Sequence, residues 1–156
     1  MLVLGSRGAG GFSAMILGSV SRYVATHAAV PVVVAREDTM ATHREIVVGV
    51  RDPAQSDAAV HAWSWSGPGH TEVPAEENSH LESAVTTWQE KFPEVEARWE
   101  VVHGHPGRVL AGLSARADLV VLGRHAPGEP HAPGVGSATH AVLSHAHGPV
   151  ISVPGD

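Results

Sequence analysis

Shifting the chain against itself by 118 residues, the separation of Gly5 from Gly123, brings two distant stretches into ungapped agreement. Leu4-Gly5 falls on Leu122-Gly123, Gly10 on Gly128, Gly18-Ser19 on Gly136-Ser137 and Val24 on Val142. His27-Ala28 falls on His145-Ala146 and Pro31-Val32 on Pro149-Val150. Glycine frees the backbone and proline restricts it, so matches at these residues constrain conformation more than matches at apolar ones. The pattern predicts two copies of one strand, loop, helix, strand unit. Each copy closes on a β-rich run after proline, Val32-Val33-Val34 and Val150-Ile151-Ser152-Val153.

The loop of the first copy carries the chemistry. After the apolar run Leu2-Val3-Leu4 comes Gly-x-x-Gly, nine residues, then Gly-Ser. A glycine-rich turn between a buried strand and a helix lets backbone N–H groups approach an anion, because no Cβ intervenes and the helix N-terminus adds a favourable partial charge. Gly5, Arg7, Gly8, Gly18 and Ser19 are therefore the candidate phosphate contacts. Ser19 suits two roles, capping the helix that follows or giving its hydroxyl to a phosphate oxygen.

In the second copy Gly-x-x-Gly has become Gly123-Arg124-His125-Ala126, followed by Pro127, Pro130 and Pro133. A Cβ at the second glycine position narrows the approach, and three prolines remove N–H donors. Gly123, Gly136 and Ser137 remain as weaker phosphate candidates, with Gly136-Ser137 expected to keep a helix cap.

Leu2 to Gly5 reads as a buried parallel strand. A helix starts near Ser19 with Val20, Tyr23, Val24 and His27 on one face, and Pro31 opens the next strand. Residues 37–45 form a polar linker, and Ile46 to Val50 a continuous apolar strand. Residues 51–60 form a crossover too short for more than a helical turn over Ser56 to Val60, leading to a strand at His61 to Trp65 and a loop over 67–74. Leu81, Ala84, Val85, Trp88 and Phe92 follow helical spacing up to Pro93, with Trp88 in the core. Alternation over 95–101 predicts an edge strand with one wet face. Pro106 suits a helix first turn with Val109, Leu110 and Leu113 inside, and Leu119 to Leu122 is expected to be the central strand.

With 156 residues and 16.2 kDa there is room for one domain, or one domain and a fragment. The formal net charge of −6, with Lys91 the only lysine, leaves no basic stripe for a nucleic-acid backbone. Cysteine is absent, which excludes thiolate metal sites. Neither a signal peptide nor a membrane span fits the N-terminus, so a cytoplasmic protein is expected. Twelve histidines raise the question of a metal. His140 and His145 are five apart, not the four that puts two imidazoles on one helix face, and no HExxH motif occurs, so no metal is expected. No Gly-x-Ser-x-Gly elbow and no lysine in the glycine turn point to catalysis.

Gly-Ser-Arg-Gly, Gly-Gly-Phe, Leu-Gly-Ser-Val-Ser and His-Ala-Ala-Val-Pro-Val-Val-Val-Ala-Arg resemble the closing third of a universal stress protein domain. The second copy, opening at Ile46-Val47-Val48-Gly49-Val50 and passing through Val102-His103-Gly104-His105-Pro106, resembles another. The resemblance implies an α/β fold of the Rossmann-like, adenine nucleotide alpha hydrolase-like kind. That fold is an open three-layer sandwich with a mainly parallel sheet, here joined by a partial N-terminal repeat. Residues 1–36 would be the end of a first domain, 37–45 a linker and 46–154 a shortened second domain. It implies a non-enzymatic stress-response protein that binds ATP and associates. Pairing would run through strands 31–35 and 149–153, as a homodimer or as a pseudo-dimer within the chain. In the family an aspartate after the first strand meets the adenine; here Arg51 stands there and Asp52 one place later. A nucleotide-free dimerisation module, or a remnant that has lost ATP binding, is the alternative.

Overall fold

The computed structural model describes residues 1–6, 17–36, 43–50, 75–100, 102, 104–124 and 136–154. In order these form β1 (Leu2–Gly5), α1 (Ser19–His27), β2 (Val32–Ala35), β3 (Ile46–Gly49) and α2 (Ala75–Lys91). Then come α3 (Pro106–Leu113) with a 3-10 turn at Ser114–Arg116, β4 (Leu119–Gly123), α4 (Ser137–His145) and β5 (Val150–Val153). Among the described residues the strands make one five-stranded sheet in the order β1-β2-β5-β4-β3. Every neighbouring pair is parallel except β2 with β5. The fold is α/β with a mixed, mostly parallel sheet. The centre is β5, not β4 as expected from the chain, because β2 pairs on its far side.

The two glycine-turn units have the same internal register. Leu2 pairs with Val32 and Leu4 with Val34, and 118 residues on Val120 pairs with Val150 and Leu122 with Ser152. Their boundary bonds match as well. Leu2 N–H donates to Pro31 C=O at 2.8 Å and Val120 N–H to Pro149 C=O at 3.0 Å; Ser6 N–H donates to Ala35 C=O at 2.9 Å and Arg124 N–H to Val153 C=O at 2.7 Å. The antiparallel join places Val32 opposite Ser152, Val33 opposite Ile151 and Val34 opposite Val150. Under the same offset Val33 and Ile151 are each other's counterparts, so a local twofold axis passes between them.

Side chains alternate across a strand, and here the alternation sorts residues cleanly. Val32, Val34, Val120, Leu122, Val150 and Ser152 are buried on one face, under Ala25 of α1, Leu110 of α3, and Val142 and Leu143 of α4. The other face carries Val33, Val48, Val121 and Ile151, each half-buried. A separate small cluster joins Leu81 and Val85 of α2 to Ala97.

Helix ends hold the seam between the units. Ser152 Oγ donates to Ala25 C=O at 2.9 Å, and the Arg124 guanidinium donates to Ala28 C=O at the C-cap of α1. From the other side Arg36 donates to Leu143 C=O at 2.7 Å, and Leu143 is the offset counterpart of Ala25. The last carbonyls of a helix lack intrahelical partners and carry partial negative charge, so arginine satisfies both needs. Burial lowers the pKa of Arg124 from its ordinary value.

Several expectations are corrected. Among the described residues β1 is an edge strand and is not buried, Val3 being 63% exposed, because no described strand pairs on its outer side. α1 buries Ala25 rather than the face expected; Val20 and Tyr23 point to solvent. Trp88 is not core: it stacks on Phe92 with centroids 5.6 Å apart, under the Lys91 ammonium, past the last residue of the buried stripe. Residues 96–100 carry no strand pairing, because Ala97 packs on α2 and its carbonyl accepts from Gln89 at 3.0 Å.

Entry to β3 is pinned by Asp118. Its carboxylate accepts from the amides of His43 at 2.9 Å and Arg44 at 2.6 Å, while its own N–H donates to Glu45 C=O at 2.8 Å. Arg44 takes a left-handed φ of 58° to present that amide. The His43 amide foremost, with those of Arg44 and Glu45, holds the Asp118 carboxyl below the usual carboxylate range against the opposing effect of burial.

Candidate functional site

Each candidate turn begins at the C-terminal end of a strand and ends at the N-terminus of a helix. In the first, Gly18 N–H donates to Ser6 C=O at 3.0 Å and closes the neck of the loop between them. That amide is committed to the backbone and is not offered to an anion. Ser21 Oγ then reaches Gly5 C=O at 2.7 Å and ties the helix start to the strand end. In the second turn Thr139 Oγ1 points to Gly123 C=O at 3.4 Å, the same contact 118 residues on. Hydroxyls at both Ser21 and Thr139 were the sequence signal for this tie, and glycine matching alone passed over it.

The capping role of the serines is not made. Gly18 is the N-cap of α1 and Gly136 that of α4, with φ/ψ of −59°/149° and −55°/154°, and neither helix has a side-chain cap. Ser19 and Ser137 sit one place too far along, at the first helical position, where the hydroxyl does not reach back to a first-turn amide. Both are exposed. Gly136-Ser137 thus keeps the N-cap position, at Gly136, without a side-chain bond from Ser137. Each helix presents open N-terminal amides beside a free hydroxyl position, the arrangement that suits a phosphate.

Among the described residues an added Cβ at Gly123 would find nothing within 4 Å. Arg124, next in sequence, turns its guanidinium to the Ala28 carbonyl at the end of α1. The turns differ most in what stands beside them. β4 has parallel neighbours on both sides, β5 and β3, so Gly123 opens next to the carboxyl end of β3. Among the described residues β1 pairs with β2 alone, so no described strand stands on the other side of Gly5.

The structure thus places Gly5, Gly18 and Ser19 around one neck and Gly123, Gly136 and Ser137 around the other. Arg7 and Gly8 lie outside the described residues, as do Arg51, Asp52, His125, Ala126 and the strand expected at His61 to Trp65. Among the described residues no group of three His, Asp or Glu side chains is placed to hold a metal ion. No described helix is long and apolar enough to cross a membrane.

The model of the universal stress protein family matches residues 1–36 and 41–154. The chain belongs to the universal stress protein family. Two universal stress proteins of Mycobacterium tuberculosis are 33% and 30% identical to it, over 97% of this chain and 60% and 57% of their own lengths. The chain thus spans about three fifths of the curated relatives it matches. Among solved structures, a universal stress protein from Archaeoglobus fulgidus superimposes with a TM-score of 0.70 at 20% identity, over 97% of this chain and 61% of that one. One from Pseudomonas aeruginosa gives 0.67 at 15% identity, over 99% and 63%. At these identities the structural likeness speaks for the fold, an α/β sheet of universal stress protein type.

Proposed function

We propose that this member of the family binds an adenine nucleotide of the ATP type and acts in the stress response by binding and association, without turnover. The observation that carries the reading is the position of the Gly123 turn. It lies at the carboxyl end of an interior parallel strand, beside the end of β3, and open α/β sheets hold ligands in such crevices. Gly123, Gly136 and Ser137 would hold phosphate there. The open space at Gly123 and the uncapped start of α4 fit an anion. Gly5, Gly18 and Ser19, with Arg7 and Gly8, would repeat the phosphate side; among the described residues β1 has a strand on one side only.

Thermal melting with millimolar ATP tests the reading. A ligand present at about 100 times its dissociation constant stabilises by roughly 2.7 kcal/mol, a readily measured shift. ATP is expected to raise Tm in wild type and to have little effect on Gly123→Val, whose side chain enters open space and so spares the fold. A wild type that does not respond to ATP would overturn the reading and leave a nucleotide-free association module.

A further inference from the structure

We propose that the first unit takes part in the second unit's anion site through Arg124, whose guanidinium cancels the negative end of α1 and makes it a positive wall for a phosphate held at the Gly123 turn. The proposal rests on the reading of that turn as a nucleotide site, and adds to it a residue that sets affinity from outside the turn's own backbone.

Chain direction puts the parts together. β2 is antiparallel to β5, and β5 is parallel to β4. α1 leads into the start of β2 and α4 follows the end of β4, so α1 ends at the end of the sheet where α4 begins. Arg124 follows Gly123; its N–H donates to Val153 C=O and its guanidinium to Ala28 C=O, at the C-cap of α1. The negative end of one helix thus lies one arginine side chain from the turn that precedes the other, inside the screening length of about 10 Å at 0.1 M salt.

Charge decides what this does to an anion. A helix C-terminus carries about half a negative charge, which alone would oppose a phosphate nearby, and one guanidinium more than offsets it. Arginine keeps its proton, yet burying that charge is costly. Arg124 is 9% exposed, and its Nε has no hydrogen-bond partner among the described residues. Holding a helix end needs no cation: Ser152 donates its hydroxyl to Ala25 C=O on the same helix at 2.9 Å. A buried guanidinium with an unused donor makes a poor clamp and a good fixed charge.

The opposite end of the sheet repeats the arrangement. There Arg36, directly after the Ala35 that pairs with Gly5, donates to Leu143 C=O in the last turn of α4. Under the 118-residue offset Arg36 falls on Pro154 and Arg124 on Ser6, so the two arginines are not copies of one another. An arginine on the facing helix end accompanies each glycine turn, from a different place in its unit.

Isothermal titration calorimetry with ATP on the whole chain, without magnesium so that the phosphates keep their charge, tests the proposal. Arg124→Gln keeps a donor for Ala28 and loses the charge; it is expected to bind ATP about tenfold more weakly, while Arg124→Lys, which keeps the charge, stays within about threefold of wild type. Ala29 is exposed beside the same helix end. Ala29→Glu is expected to weaken ATP binding about threefold and Ala29→Lys to strengthen it as much, with Tm unchanged in both, an effect that a purely structural role of Arg124 does not give. Arg124→Gln or Ala29→Glu binding ATP as tightly as wild type would overturn the proposal and leave the nucleotide reading standing; a wild type that binds no ATP overturns both. If Arg124→Gln loses its fold, the Ala29 pair decides alone.

Discussion

The units β1-α1-β2 and β4-α4-β5 share register, boundary hydrogen bonds and the strand-to-helix tie, yet they live in different surroundings. Leu122 is 3% exposed and its counterpart Leu4 half-buried; Val120 is fully buried and its counterpart Leu2 is exposed. Path is set within a unit, by where glycine and proline stand. Burial is conferred from outside it, and among the described residues β3 and α3 confer it on the second unit. A crevice needs both, and among the described residues the second turn alone has a strand beside it.

The largest effect expected from this contrast comes from truncating the matched leucines. Leu122→Ala should cost about 2–5 kcal/mol in urea unfolding, as deletions at fully buried sites do, and Leu4→Ala less than half as much. Equal losses would mean that the first unit is covered in solution.

A smaller effect separates the helix flanks. Gly107→Val would drive a side chain into Ala138 and Ala141 and should destabilise by about 1–3 kcal/mol, whereas Val20→Ala should stay within about 0.5 kcal/mol in the monomer. The same urea series reads both.

The smallest contrast concerns the pinned entry to β3. Asp118 has a lowered pKa in the folded chain, so its contribution is present above the unfolded value of about 3.9 and is lost as pH falls through the folded one. Stability should therefore decline below pH ~4 in wild type and decline less steeply in Asp118→Asn. Identical acid profiles would remove Asp118 from the account.

Much of this fold is legible in the residues because the 118-residue offset falls on glycines and prolines, which act on the backbone directly. Strand pairing within each unit follows from that, and Pro106, outside the offset, marks the start of α3 through its own fixed φ. Alternation over 95–101 misleads for a definable reason. It reports which side chains share a face but not whether a strand is within reach, and Gln89 takes the Ala97 carbonyl first. The helical stripe misleads at Val20 and Tyr23 in the same way, since an apolar flank reads alike whether a neighbour covers it or not. At the candidate site, glycine spacing finds both necks. It does not reveal that Gly18 is itself the N-cap with its amide already bonded, because that depends on where the chain crosses Ser6.

Reversing chain direction between β2 and β5 has a further consequence. Because the strands feeding the two turns run opposite ways, the turns open at opposite ends of the sheet, back to back. Anions drawn to both would be kept apart by the length of the strands, so occupancy at one end would neither crowd nor repel occupancy at the other.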